Sequence, residues 1–115
     1  MDDATREVRD DLHGLLVALV KAALVGDPAA AGPWRRQGEV RRTALRGRTG
    51  AAPPGADLDA VWARAVREAE GDGTVRRAET ASPILPIACP LTWDQITGLA
   101  FDAAAERIRV SASTG

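Results

Sequence analysis

The chain of 115 residues has few of the residues on which catalytic and metal-binding sites usually depend. It contains one cysteine (Cys89), one histidine (His13) and no tyrosine. A lone cysteine excludes an internal disulfide, and one histidine with one cysteine supplies no zinc-binding spacing. No glycine-rich phosphate loop, nucleophile elbow or HExxH motif is present. The sequence therefore predicts no metal and no cofactor, and it disfavours an enzyme.

Long hydrophobic runs are also absent. The longest, residues 15–25, is interrupted by Lys21 and has about half of the ~20 residues that a membrane-spanning helix needs. The acidic start Met1-Asp2-Asp3 lacks the basic region of a secretory signal. We therefore expect a cytoplasmic protein with no membrane partner.

Large apolar residues are scarce. Leu, Ile, Val and Phe together make up about a fifth of the chain, close to the level at which disorder becomes common. Much of the core must therefore come from Trp34, Trp62, Trp93 and Phe101. This length and composition predict one small domain over residues 1–110, with residues 111–115 as a disordered tail. A dimer would relieve the shortage of apolar surface.

The apolar residues that are present follow a helical period. Residues 3–25 have three- and four-residue apolar spacing and are apolar nearly all round in their second half, which predicts a central, buried helix. A second helix is predicted over Pro33–Arg48, followed by a loop over residues 49–56. Asp57 is the expected N-cap of a third, amphipathic helix that ends before Gly71.

The C-terminal third combines prolines with a helix start signal. Three prolines exclude a helix between Thr74 and Pro90. Ile84, Leu85 and Ile87 are nevertheless too apolar for a free loop. We therefore expect an extended arm that lies across the helices. Thr92 and Gln95 form a capping box that opens a last helix towards Arg107, which Gly98 is expected to break or kink. The predicted fold is all-α, a small bundle of three to four helices with the extended arm before the last helix.

Local patterns along the chain resemble one family in the same order. Residues 15–21 resemble a Leu-Leu-x-His-Leu-Leu-Lys signature, with Ala18 at the position of the histidine. The most specific pattern is in the arm, where Pro86–Ile96 resembles a Pro-x-x-Cys-Pro-[Tyr/Phe]-Thr-x-[Glu/Asp]-Gln-[Leu/Ile] ending. Two further patterns are similar. Trp34, Arg42 and Leu45 resemble a Trp…Arg-x-x-Ile pattern. Trp62, Ala65 and Ala69 resemble a Tyr-x-x-Ala-Arg-x-x-Ala pattern, with Val66 in place of its arginine.

On these residues the chain resembles domain of unknown function family 29 over about residues 12–97. The resemblance implies an all-helical fold, a bacterial origin typical of cyanobacteria, and no assigned activity. It also implies that the N-terminal stretch of the family is missing here. We therefore expect apolar surface to be left exposed and to be covered by a second copy or a protein partner.

The second helix concentrates the basic charge. Residues 32–50 have a net charge of +5, whereas the whole chain has −1. Such a helix can lie on phosphates, with Trp34 stacked on a base. The alternative is an internal charge belt with acidic residues of the first and third helices, which the net charge favours. The candidate nucleic-acid-binding residues are Arg35, Arg36, Arg41, Arg42, Arg46 and Arg48, and the first-helix acids of the belt are Asp2, Asp3, Glu7, Asp10 and Asp11.

Catalysis has two weak candidate residues. A Cys89 thiolate activated by His13 would be a nucleophile, whereas the structural interpretation makes Cys89 a small buried hydrophobe and His13 a half-buried, hydrogen-bonded side chain. A small-molecule pocket would be lined by Trp34, Arg42, Trp62 and Trp93.

The leading prediction from the sequence is a non-catalytic helical module for protein interaction or self-association. One alternative is nucleic-acid contact through residues 35–48, and another is a small-molecule site or enzyme in a tryptophan-lined cleft near Cys89.

Overall fold

A computed structural model describes residues 3–27, 29–48, 57–73, 75 and 83–114 of the chain. Within these ranges the architecture is all-α, as the apolar period predicts. Two two-residue strands pair antiparallel, with Pro83 opposite Thr114 and Ile84 opposite Ser113. In chain order the elements are α1 (Asp3–Val25), α2 (Gly32–Arg48), α3 (Leu58–Glu70), β1 (Pro83–Ile84), α4 (Trp93–Gly98), α5 (Phe101–Ser111) and β2 (Ser113–Thr114).

Helix α1 is the centre of the bundle, because α2, α3 and α5 all pack against it. Its apolar residues are correspondingly buried, with Leu12, Leu16 and Val20 fully inaccessible to solvent. This confirms the central helix predicted from its apolar sequence. None of the large apolar side chains of α1 is exposed, because three neighbouring helices cover most of this helix. The large apolar side chains that are exposed within the described residues lie elsewhere, at Val40, Ile84, Ile87 and Val110.

Helix α2 approaches the core most closely at Gly38. A Cβ atom at this position would lie 2.6 Å from Cδ2 of Phe101 and 3.4 Å from Cδ1 of Leu15. The missing side chain therefore lets the Phe101 ring pack into the core between α2 and α1. Leu45 is fully buried on the same helix, whereas Trp34 is only half-buried.

Helix α3 begins as its sequence predicts. The Asp57 carboxylate accepts a hydrogen bond from the Ala60 backbone N–H at 3.3 Å, and Asp57 itself has a left-handed backbone with φ 46°. The helix ends at Glu70, just before Gly71. Trp62, on its inner face, is fully buried.

The described part of the arm lies along α3, as expected, but its side chains do not all face the core. The Trp62 indole donates to the Pro86 carbonyl at 3.0 Å, and the Cys89 backbone N–H donates to the Asp59 carboxylate at 3.1 Å. Ile84 and Ile87 are 59% and 95% exposed, so their expected burial is wrong. Hydrogen bonds between the backbone of the arm and side chains of α3 hold the arm in place, so the side chains of Ile84 and Ile87 are free to point outward. The predicted loop 49–56 and residues 76–82 lie outside the described residues.

The capping box at the start of α4 is confirmed. The Gln95 N–H donates to Thr92 Oγ1 at 3.1 Å, and the Thr92 N–H donates to Gln95 Oε1 at 3.0 Å. The last predicted helix divides after Gly98, because Leu99 has an extended backbone before α5 begins at Phe101.

The C-terminal end differs from the disordered tail expected over residues 111–115. Ser111 completes α5, and its hydroxyl donates to the Ile108 carbonyl at 2.6 Å. Ser113 and Thr114 then pair with β1. Ser113 and Thr114 thus pair with residues of the arm that are distant in sequence, and local sequence patterns do not predict such pairing.

Candidate interaction groove

An open groove runs along one face of α1. Helices α2 and α3 both pack on α1 but scarcely contact each other, which leaves this face uncovered between them. Apart from His13, the α1 residues that line the groove are spaced by four, three and four residues, so they form a single stripe. The groove has a volume of about 800 Å³. The stripe consists of Asp10, Gly14, Val17 and Lys21.

One wall of the groove is α2, which contributes Gln37, Val40 and Arg41. Arg41 crosses Gly14, where an added Cβ would lie 3.0 Å from the Arg41 Nε atom, and its Nη1 donates to Asp11 Oδ1 at 2.9 Å. The Asp11 side chain is only 9% exposed, so this ion pair is partly withdrawn from water. Val40 is 68% exposed, which makes it the apolar side chain of this wall that is open to a partner.

Glu68 of α3 contributes to the other wall. Polar side-chain contacts link α1 to α3 and to the residues that follow it on this side. His13 Nε2 lies 2.9 Å from Glu68 Oε2, and Lys21 Nζ lies 2.9 Å from Asp72 Oδ2. Asp10 is exposed at one end of the stripe and has no ion-pair partner in the part of the chain that the structure describes. The middle of the groove therefore contains the two valines Val17 and Val40 beside the Arg41 side chain that crosses Gly14, and charged residues lie at both ends.

The structure separates the two catalytic candidates. Cys89 lies beside Asp59 near the start of α3, and His13 pairs with Glu68 near its end. Nine residues of helix separate these two positions, or about 13 Å at 1.5 Å per residue. Burial is the main cause that raises the pKa of the Cys89 thiol to about 11; a backbone hydrogen bond from Leu91 opposes the rise, and the nearby Asp59 carboxylate adds to it. A thiol of this kind is protonated at neutral pH, and the geometry gives it no base.

The arginines of α2 are divided between internal pairing and solvent. Arg41 pairs with Asp11 of α1, as the charge belt predicts, whereas Arg35 pairs with Asp102 of α5 at 2.9 Å. Arg42 donates to Glu39 and to the Leu99 carbonyl, both at 2.6 Å.

Two of the candidate arginines remain outside the belt. Arg36 and Arg46 are exposed and have no ion-pair partner among the described residues. The Arg48 side chain, the Asp3 side chain and Asp2 lie outside the described part of the chain. Internal pairing within the described residues thus takes up three of the six candidate phosphate-binding arginines, of which Arg41 alone pairs with an acid of α1 or α3 as the charge belt predicts.

The four residues of the predicted tryptophan-lined pocket lie on three different helices. Trp34 and Arg42 are on α2 and Trp93 is on α4, which packs against α2, but Trp62 is on α3 and its indole is bonded to the arm. None of the four residues lines the groove. Arg42 Nε and Trp93 Nε1 are buried without a hydrogen-bond partner.

Two features of the sequence relate to the groove. The stripe from Asp10 to Lys21 is mixed in polarity on a helix that is otherwise apolar, and Val40 is an isolated valine on the basic helix. Neither signal identifies a groove until the two helices are placed side by side.

Comparisons of the chain with protein-family models, with curated proteins and with solved structures found no match. Within the described residues, no group of three or more His, Cys, Asp or Glu side chains is placed to hold a metal ion. None of the described helices has the length and apolar character needed to cross a membrane. Fold and groove together define the class of protein, a small all-α bundle whose central helix is open along one face.

Proposed function

We propose that the protein is a non-catalytic helical module that binds another polypeptide chain in the groove along α1. The observation behind this proposal is the 68% exposure of Val40 on the wall of a groove whose floor holds Val17. A helix lying in the groove would bury both valines. It would also cover the remaining side of α1, in the way that helices dock into apolar grooves.

The composition of the groove suits moderate affinity. Complete burial of a valine side chain contributes about 1.5–3 kcal/mol, whereas an exposed ion pair contributes ~0–1 kcal/mol. The valines therefore supply most of the binding energy, and the charged ends fix the register of the partner. Losses of rotational and translational freedom offset part of this gain.

Nucleic-acid contact through α2 has weaker support. Arg36 and Arg46 have no ion-pair partner among the described residues, but they are separated by ten residues and project about 80° apart around the helix. Two cations contact few phosphates, so the expected salt dependence is shallow. A protein-binding groove accounts for more of the observed features, because residues of α1, α2 and α3 all line it.

Native mass spectrometry of the protein isolated from its source cells tests the proposal. We expect the wild-type chain to be accompanied by another chain, and the Val40→Lys variant to lose it. Val110→Lys is the matched control, because Val110 is also a helical valine, 75% exposed, but lies on α5 outside the groove. A wild-type chain that is always unaccompanied, or an equal loss in both variants, contradicts the proposal.

A further inference from the structure

Resting on this proposed function, we infer that the chain bound at the groove is a second copy of the same protein. In this dimer the two α2 helices lie antiparallel, with Val40 of each copy at a two-fold axis and Arg36 of each copy facing Asp10 of the other.

The exposed side of α2 has the properties that the groove requires of a partner. Arg36, Val40, Thr43 and Gly47 follow one another at spacings of four, three and four residues, so they share one helix face. The described residues of this face are all exposed. It therefore offers an unpaired cation and an apolar side chain one helical turn apart.

The groove offers the complementary charge. Asp10 is exposed at the end of the α1 stripe, and no other described side chain neutralises it. Within one copy Arg36 does not pair with Asp10, because the register of α1 and α2 places Arg36 level with about residues 16–19 of α1, roughly two helical turns from Asp10. Arg36 and Asp10 are thus separated along the direction of the helices within one copy.

The register of α1 and α2 brings these charges together in an antiparallel pair of copies. Arg41 bonds to Asp11 and lies against Gly14, and the position of Gly38 lies against Leu15, so α1 and α2 are antiparallel and residue numbers in contact sum to about 52–55. Ala44 of α2 is accordingly level with about residues 8–11 of α1.

In two antiparallel α2 helices centred on Val40, Arg36 of one copy lies opposite Ala44 of the other. It is therefore level with Asp10 of that copy, and the small side chain of Ala44 leaves room for the arginine. The two-fold axis repeats the arrangement, as in every isologous interface. The dimer gains one valine–valine contact and two Arg36–Asp10 ion pairs.

Sedimentation of the purified full chain tests this arrangement through exchanged charges. We expect the wild type to dimerise in the micromolar range, and Arg36→Glu or Asp10→Lys alone to weaken dimerisation roughly tenfold by placing like charges opposite each other. A mixture of these two variants should form a heterodimer close to wild-type affinity. In that heterodimer one ion pair is reversed, the other is native, and neither is repulsive.

Circular dichroism and thermal melting check that each variant is folded, and Val110→Lys serves again as the matched surface control. A wild-type chain that stays monomeric across micromolar concentrations overturns the inference, and so does a mixture that associates no better than its components. If the purified chain is monomeric while a different protein from the source cells is lost with Val40→Lys, the groove function stands and the second copy is wrong. If no chain is lost in either experiment, both fail.

Discussion

At the scale of single residues, Gly38 shows how one missing side chain positions a helix. Gly38→Ala would drive a Cβ into Cδ2 of Phe101, 2.6 Å away, and overpacking of this kind costs about 1–3 kcal/mol. Helix propensity alone would favour alanine by about 1 kcal/mol, so the net result depends on the clash. We expect a clear loss of stability in urea unfolding.

Gly47→Ala is the matched control in the same helix, because nothing lies within 4 Å of its added Cβ. This variant should be neutral or slightly stabilised. A Gly38→Ala protein as stable as Gly47→Ala would contradict the close packing of α2 on Phe101.

Cys89 makes a second prediction at the residue scale, from its raised pKa. Burial disfavours the charged thiolate, so the pKa of about 11 lies above the ordinary thiol value of about 8.5. Alkylation of the native chain should be slow at neutral pH and its rate should keep rising with pH up to about 11. In denaturant the rate should level off near the ordinary thiol pKa. A rapid reaction of the native chain at pH 7 would restore Cys89 as a nucleophile.

At the scale of elements, the start of α4 tests whether a short helix depends on its cap. Thr92→Ala removes the side-chain acceptor for the Gln95 N–H and should destabilise the protein by about 1 kcal/mol. Thr92→Ser keeps the acceptor and should retain most of the stability. Thr97→Ala is a useful comparison, because the Thr97 hydroxyl bonds to the Trp93 carbonyl inside the helix, where such bonds add little. Equal melting temperatures for Thr92→Ala and the wild type would show that packing alone holds α4.

The elements also show which information is local. The apolar period predicts α1 and α3, Pro33 and the following glycines predict the bounds of α2, and the Asp57 and Thr92 caps follow from local residue types, so sequence predicts these features well. The orientation of Ile84 and Ile87 does not follow, because an extended arm exposes whichever side its backbone anchors leave free. The groove was missed for a related reason. Its wall joins His13 to Glu68, residues distant in sequence, and only the packing of two helices on α1 brings them together.

At the scale of the whole molecule, Trp62 links the bundle to the arm. It is fully buried on α3, and its indole N–H holds the Pro86 carbonyl at 3.0 Å. Trp62→Ala should therefore cost about 3–5 kcal/mol, as for other large aromatic residues in cores. In a chain with so few large apolar residues, a loss of this size is a large fraction of the ~5–15 kcal/mol that stabilises a typical domain.

Two further variants separate the contributions of packing and hydrogen bonding at this site. Trp62→Phe keeps most of the apolar contact but leaves the Pro86 carbonyl without its donor, which costs about 1–3 kcal/mol if that carbonyl stays buried. Ile87→Ser changes a side chain that is 95% exposed and should leave urea unfolding unchanged. If Trp62→Ala melts like the wild type, Trp62 is not part of the core. If Ile87→Ser is as damaging as Trp62→Ala, the arm is held by its side chains, and the backbone anchors proposed for it do not explain its position.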